Sequence, residues 1–223
     1  MRRRRLLLAI LLLPAGAAAQ QRATRSPASD FWFDPTQLPA FTGIVERYLL
    51  NPRGETDALL FREGPQIVFP PEFGAAVRAA APPGRPIVVW GIRARHAPVI
   101  TMLAFAPDAE AAPVVVERFY WRAGRDAAEQ AAPLAVQGIV KAPYFAPQGE
   151  VTGAVLEDGT VVTVPPGSVE ALRDLLKAGA TLAAEGRGVA GENGRALAAD
   201  RIGANPEALR PIPASPAPTS RQP

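Results

Sequence analysis

Apolar and polar positions alternate along short stretches of this chain, with turn residues between one stretch and the next. Thr42 to Leu49 alternates weakly and predicts a strand. Asn51-Pro52-Arg53-Gly54 then places Asn, Pro and Gly at the first, second and fourth positions of a type I turn. Ala58 to Arg62 and Gln66 to Phe69 flank Glu63-Gly64-Pro65, and Ala154 to Glu157 and Val161 to Val164 flank Asp158-Gly159, which predicts two hairpins. After each Pro-Pro pair the period changes to about 3.6 residues. The change is clearest where Val169, Leu172, Leu175 and Leu176 share one helical face, with Ser168 as cap and Gly179 as stop. Glu72 to Ala81 is a poorer helix, ended by Pro82-Pro83-Gly84. Fourth strands follow at Pro86 to Trp90 and Thr181 to Glu185, each ending at a glycine (Gly91, Gly186) where a bulge or sharp bend is expected. Fifth strands are predicted at Val99 to Phe105 and Arg195 to Ile202.

The two series of elements are copies of one another. At a constant offset of 95, the segment from Phe41 aligns without a gap on the segment from Val136, with thirteen identities in the 51 positions from 41 to 91. Gly43-Ile44-Val45 meets Gly138-Ile139-Val140, and Pro52, Gly54 and Glu55 meet Pro147, Gly149 and Glu150. Gly64, Pro70-Pro71, Gly84 and Gly91 likewise meet Gly159, Pro165-Pro166, Gly179 and Gly186. Because most identities are Gly or Pro, the repeat is one of backbone turns.

Three strands, a helix and two strands in about 67 residues is the order of a small five-stranded Greek-key barrel. The chain therefore reads as all-β with short helices: two tandem five-stranded OB-like barrels, each with a helix between strands three and four. It resembles the OB-fold, and more narrowly a group of exported bacterial tandem OB-fold proteins of unknown function. The residues that carry the resemblance are Phe33-Asp34-Pro35-Thr36-Gln37-Leu38-Pro39, Leu50-Asn51-Pro52-Arg53-Gly54 and Phe69-Pro70-Pro71. These motifs specify turns, so the resemblance implies a fold and no particular activity. The second repeat departs from it, with Ala142-Pro143-Tyr144-Phe145-Ala146 where the first has Arg47 to Asn51, so equal binding by both repeats does not follow.

The resulting division is a lead-in at 20–40, barrels at 41–107 and 134–204, and a connector at 108–133 with an extra strand around Val114 to Trp121. A Pro/Ala-rich tail from Asn205 onward is expected to be disordered. Ahead of the lead-in, Arg2 to Arg5, the apolar run Leu6 to Leu13 and Ala17-Ala18-Ala19 form a Sec-type export signal cleaved after Ala19, with a faint twin-arginine look. The expected location is periplasmic or secreted.

Composition narrows the chemistry. The 223 residues include no Cys and one His, which excludes disulfides, thiolate nucleophiles, lipoprotein anchoring and multi-histidine metal sites. No cofactor is expected. The formal charge of +3 comes from the leader; without its four Arg the chain carries 20 basic and 21 acidic residues. That balance, with 6 basic against 8 acidic residues in the second barrel, weighs against nucleic acid along both barrels.

OB barrels that hold oligomers use the face of strands two and three and the loops joining strands one to two and four to five. In the first repeat those loops hold Tyr48, Asn51, Arg53 and Glu55, then Arg93, Arg95 and His96, which form the candidate ligand-binding patch. The competing reading is a solvated rim, since the first barrel has 7 basic against 5 acidic residues. His96 has no local orienting partner for general-base work, and Glu55 and Glu150 read as turn residues. Phe31-Trp32-Phe33, Phe119-Tyr120-Trp121 and Tyr144-Phe145 read as packing or partner contacts outside the barrel strands.

The functional expectation is a non-enzymatic exported binding or scaffold protein whose partner is an envelope protein or a small or oligomeric ligand. The alternatives are binding of single-stranded nucleic acid or acidic oligosaccharide by the first barrel, and a carboxylate-dependent hydrolase.

Overall fold

A computed structural model describes residues 33–116 and 131–212. The export signal, Phe31, Trp32, Phe119 to Trp121 and the end of the tail lie outside the described residues. The first repeat forms β1 (Ala40–Leu50), β2 (Thr56–Phe61), β3 (Gln66–Val68), α1 (Gly74–Ala80), β4 (Pro86–Arg93), β5 (Val99–Ala106) and β6 (Val114–Val115). The second forms β7 (Ala132–Phe145), β8 (Val151–Leu156), β9 (Val161–Thr163), α2 (Val169–Leu172), β10 (Thr181–Gly191), β11 (Gly194–Gly203) and β12 (Arg210–Pro211).

Each repeat closes into a five-stranded barrel by the same pairings. β1 pairs antiparallel with β4 through Ala40 to Ile44 and with β2 through Val45 to Leu50, so one long strand serves both ends of the barrel. β2 pairs with β3 and β4 with β5, and a short parallel pairing of β3 with β5, Gln66 opposite Val99, closes the circle. β7 to β11 repeat the scheme, with Val161 opposite Ala196 at the parallel seam. This is the OB-like Greek-key arrangement predicted from the repeat.

The first strand bends where an extra residue is inserted. Glu46 is unpaired between the Val45–Phe61 and Arg47–Leu60 pairs, and Lys141 is its counterpart between Val140–Leu156 and Ala142–Val155. A bulge adds local twist and turns the strand from one partner to the other. The expected irregularities at Gly91 and Gly186 are also present. A Cβ there would lie 2.1 Å from the Thr101 carbonyl oxygen or 1.9 Å from that of Ala198, so only glycine admits the crossing strand. Inward residues such as Leu59, Phe61, Ile67, Phe69 and Phe105 fill the first barrel, and Val140, Leu156, Val162, Leu182 and Leu197 the second.

The helices reverse the predicted order of quality. The stretch predicted as the better helix is one turn long, Val169–Leu172, continued by mixed i+3 and i+4 hydrogen bonds through Leu176. Its apolar stripe is used as predicted, with Val169, Leu172, Leu175 and Leu176 on the second core. The cap is not. The Ser168 hydroxyl donates to the Pro165 carbonyl instead of accepting from the helix, and first-turn N–H groups go without it. The poorer sequence gives a single turn of 3-10 helix at Pro71–Phe73 and then the seven-residue α1.

Two other expectations change. The predicted connector strand is Val114–Val115, added to the edge of β5; Val116 follows with its N–H donating to the Leu103 carbonyl at 2.9 Å, and the remainder from 117 lies outside the described residues. The tail is ordered as far as Ile212: Asn205 caps a short turn at Pro206–Ala208, β12 pairs with β11, and Ile212 packs on the second core. Composition hid this because a single apolar residue makes the contact. Among the described residues no helix is long and apolar enough to cross a membrane.

Candidate functional site

The seven candidate residues fall into three groups with different surroundings. Asn51, Arg53 and Glu55 knit their own turn. The Asn51 side-chain oxygen accepts from the N–H groups of Arg53 (3.0 Å) and Glu55 (3.1 Å), while its amide donates to the Glu55 carboxylate at 2.9 Å. Arg53 Nε donates to the same carboxylate oxygen at 2.9 Å. The equivalent Ala146–Glu150 turn makes the same backbone bonds without this side-chain lacing.

Tyr48 points into the barrel and is 6 % exposed. Its hydroxyl shares its proton between the carbonyl oxygens of Val77 (2.9 Å) and Ala81 (2.7 Å), capping the C-terminal end of α1. Burial pushes the phenol up to about 12, against the pull of the Arg78 guanidinium 4.5 Å above the ring. It is a proton donor throughout the neutral range.

Arg93, Arg95 and His96 are exposed on the β4–β5 loop, which curls into a shallow open hollow with Ala94, Ala97 and Pro98. The structure thus separates this basic loop from the laced turn and the buried tyrosine.

The face of strands two and three lies between these groups, and the other barrel covers it. Ala58 and Leu60 of β2 and Val68 of β3 alternate with the inward core residues and point outward. They form one apolar cluster with Leu49, Leu50 and Val99 and with Tyr144, Val155, Val161 and Ala196 of the second barrel. Burial of these side chains is worth on the order of 1–3 kcal/mol for each large one.

The two barrels meet through equivalent parts. Gly54, in the turn after β1, packs on Val189 near the end of β10; Gly149, the copy of Gly54, packs on Ala94, the copy of Val189. Glu46 and Lys141, the two bulge residues, are themselves copies and form an ion pair at 2.6 Å. The contact is therefore a quasi-twofold one, with this pair at its centre. Burial raises the Glu46 carboxyl, but Lys141 and then Arg47 outweigh it and hold the group below its ordinary value.

Polar contacts unique to one side complete the joint. Gln66 is buried, donates to the Phe145 carbonyl (3.1 Å) and accepts from the Phe145 N–H (3.0 Å). The Tyr144 hydroxyl donates to buried Asp57 at 3.1 Å, and Arg47 donates to the Glu157 carbonyl at 2.8 Å. Of these joint residues only Tyr144 and Phe145 are read from sequence as packing or partner contacts, and they lie within β7 rather than outside the barrel strands. The available signal was opposite charge at equivalent positions 46 and 141, together with unbroken apolar runs such as Ala58 to Phe61, which mark strands buried on both faces.

Among the described residues no group of three or more His, Asp or Glu is placed to hold a metal ion. Comparison with protein-family models, with curated proteins and with solved structures finds no match. The OB-like assignment accordingly stands on strand connectivity.

Proposed function

We propose that this chain is a non-enzymatic binding or scaffold protein of the bacterial envelope, in which two OB-like barrels act as a single unit and the β4–β5 loop of the first barrel is the recognition edge. The observation that carries this reading is the mutual covering of the strand faces. An OB barrel usually offers that face to an extended ligand, and here each barrel is the other's resident occupant. In the loop Arg93 to Pro98, Ala94 and Ala97 pack on the second barrel while Arg93, Arg95 and His96 stay exposed. Export rests on the leader Arg2 to Ala19. The carboxylates fit a structural role, since Glu55 is held within its own turn.

Incorporating a photo-crosslinking residue at position 95 of the mature protein, and at exposed position 170 as control, tests the reading in envelope preparations. A discrete adduct from position 95 and none from 170 is the expected outcome. Equal capture from both positions, or none from either, would overturn it.

A second reading, an anionic oligomer on the first barrel, is favoured only by the three basic side chains of the loop. The covered strand face removes the stacking surface that single strands use. Such binding must weaken steeply as salt rises.

A further inference from the structure

We propose that the β4–β5 loop, Arg93 to Pro98, is a seat for one phosphate-sized oxyanion; this rests on the loop's being the recognition edge and names what that edge takes. The loop is closed by the Ala94 N–H, which donates to the Val99 carbonyl at 2.9 Å. Inside that closure the N–H groups of Arg95, His96 and Ala97 make no hydrogen bond among the described residues. Successive backbone N–H groups without a protein acceptor are what a phosphate oxygen requires.

The side chains add charge with no internal counterpart. Arg47, Arg53, Lys141, Arg173, Lys177, Arg195 and Arg201 each have a carboxylate within ion-pair distance. Arg93, Arg95 and His96, within four consecutive positions, have none among the described residues.

The second barrel supplies an internal control. At the offset of 95, Arg93, Arg95 and His96 correspond to Gly188, Ala190 and Gly191, and the loop there tightens into a hairpin with Gly191 opposite Gly194 and Glu192 at its tip. The two segments do the same packing work, Val189 of β10 on Gly54 and Ala94 on Gly149. The barrel joint is thus made without cations at these positions, and the basic residues of the first loop are surplus to it. Ala94 and Ala97 also seat on Gly149, at 3.0 and 3.1 Å from its hypothetical Cβ, so the second barrel braces the loop from below. A braced loop holds its donors in place before the anion arrives.

A single anion suits the site better than a polyanion. The neighbouring strand face is covered, and the equivalent loop across the quasi-twofold carries an acid. The exposed seat binds weakly and loses affinity with salt.

The test is amide chemical-shift titration of the full mature chain at low ionic strength, with inorganic phosphate and, separately, with phosphatidylglycerol vesicles against phosphatidylcholine vesicles. Saturable shifts at Arg95, His96 and Ala97, absent at Ala190 and Gly191, are expected, with at least tenfold weaker binding in the Arg93→Ala/Arg95→Ala double variant. Saturation by phosphate assigns a small phosphorylated ligand; a response to phosphatidylglycerol vesicles alone assigns a lipid headgroup, and either supports the seat. Silence with every probe, or affinity unchanged in the double variant, overturns it. Partner capture from position 95 alongside a silent titration would leave the binding role standing and remove only the oxyanion seat.

Discussion

Tyr48 shows how one side chain ties a strand to a helix. Its hydroxyl holds the last carbonyl groups of α1, and its ring lies under Arg78, whose guanidinium also donates to the Thr56 hydroxyl. The copy of Tyr48 in the second barrel is Pro143, which has no hydroxyl, and the helix beside it is a single turn. Tyr48→Phe keeps the ring and deletes the cap, so it should lower stability by about 1–2 kcal/mol, read as a shift in the urea midpoint. An unchanged midpoint would show that the hydroxyl adds nothing. The sequence places Tyr48 next to the Asn51–Glu55 turn but carries no sign of which way its side chain points. Alternation in β1 is weak, and the bulge at Glu46 reverses the inside-outside sense of the residues after it.

At the scale of elements, turns were the most readable feature. Gly54, Gly64 and Gly84 and their copies Gly149, Gly159 and Gly179 all have positive φ, a conformation that demands glycine whatever the surroundings, so composition alone exposes it. The helices were less readable because an apolar stripe of period 3.6 reports which side is buried and not whether the backbone bonds are regular. The bulge pair gives an element-level prediction. Glu46 titrates below its ordinary 4.5 in the folded protein, so its share of stability is present above that pH and is lost as pH falls through the folded value. Asp158 behaves alike from 3.8: burial raises it, and the Thr160 N–H and Arg195 outweigh that effect. Glu46→Gln should therefore cost at most about 1 kcal/mol at pH 7 and should flatten the acid limb of a stability–pH curve. A variant with the same acid limb as the parent protein would refute the assignment.

At the scale of the whole molecule, the apolar joint couples the two barrels, so chemical unfolding is expected as one cooperative transition. Leu60→Glu places a charge on the covered face, where Leu60 is 3 % exposed, and should cost several kcal/mol. Hydrogen exchange should then show the barrels opening separately; two separate transitions in the parent protein would sink the coupling. Unbroken apolar runs show that these strands are covered on both faces, but outward residues such as Leu60 and Val68 look no different from core ones, so the sequence does not say what covers them. The count of barrels was visible, and their embrace was not.

The Glu46–Lys141 contact also bears on which barrels may meet. A residue near a twofold axis faces its own copy, so two first barrels from different chains would bring carboxylate against carboxylate, and two second barrels ammonium against ammonium. Only the mixed pairing turns that central contact from repulsion into attraction. This difference at the axis, together with the polar contacts that only one side of the joint makes, disfavours joining the barrels to identical ones on neighbouring chains.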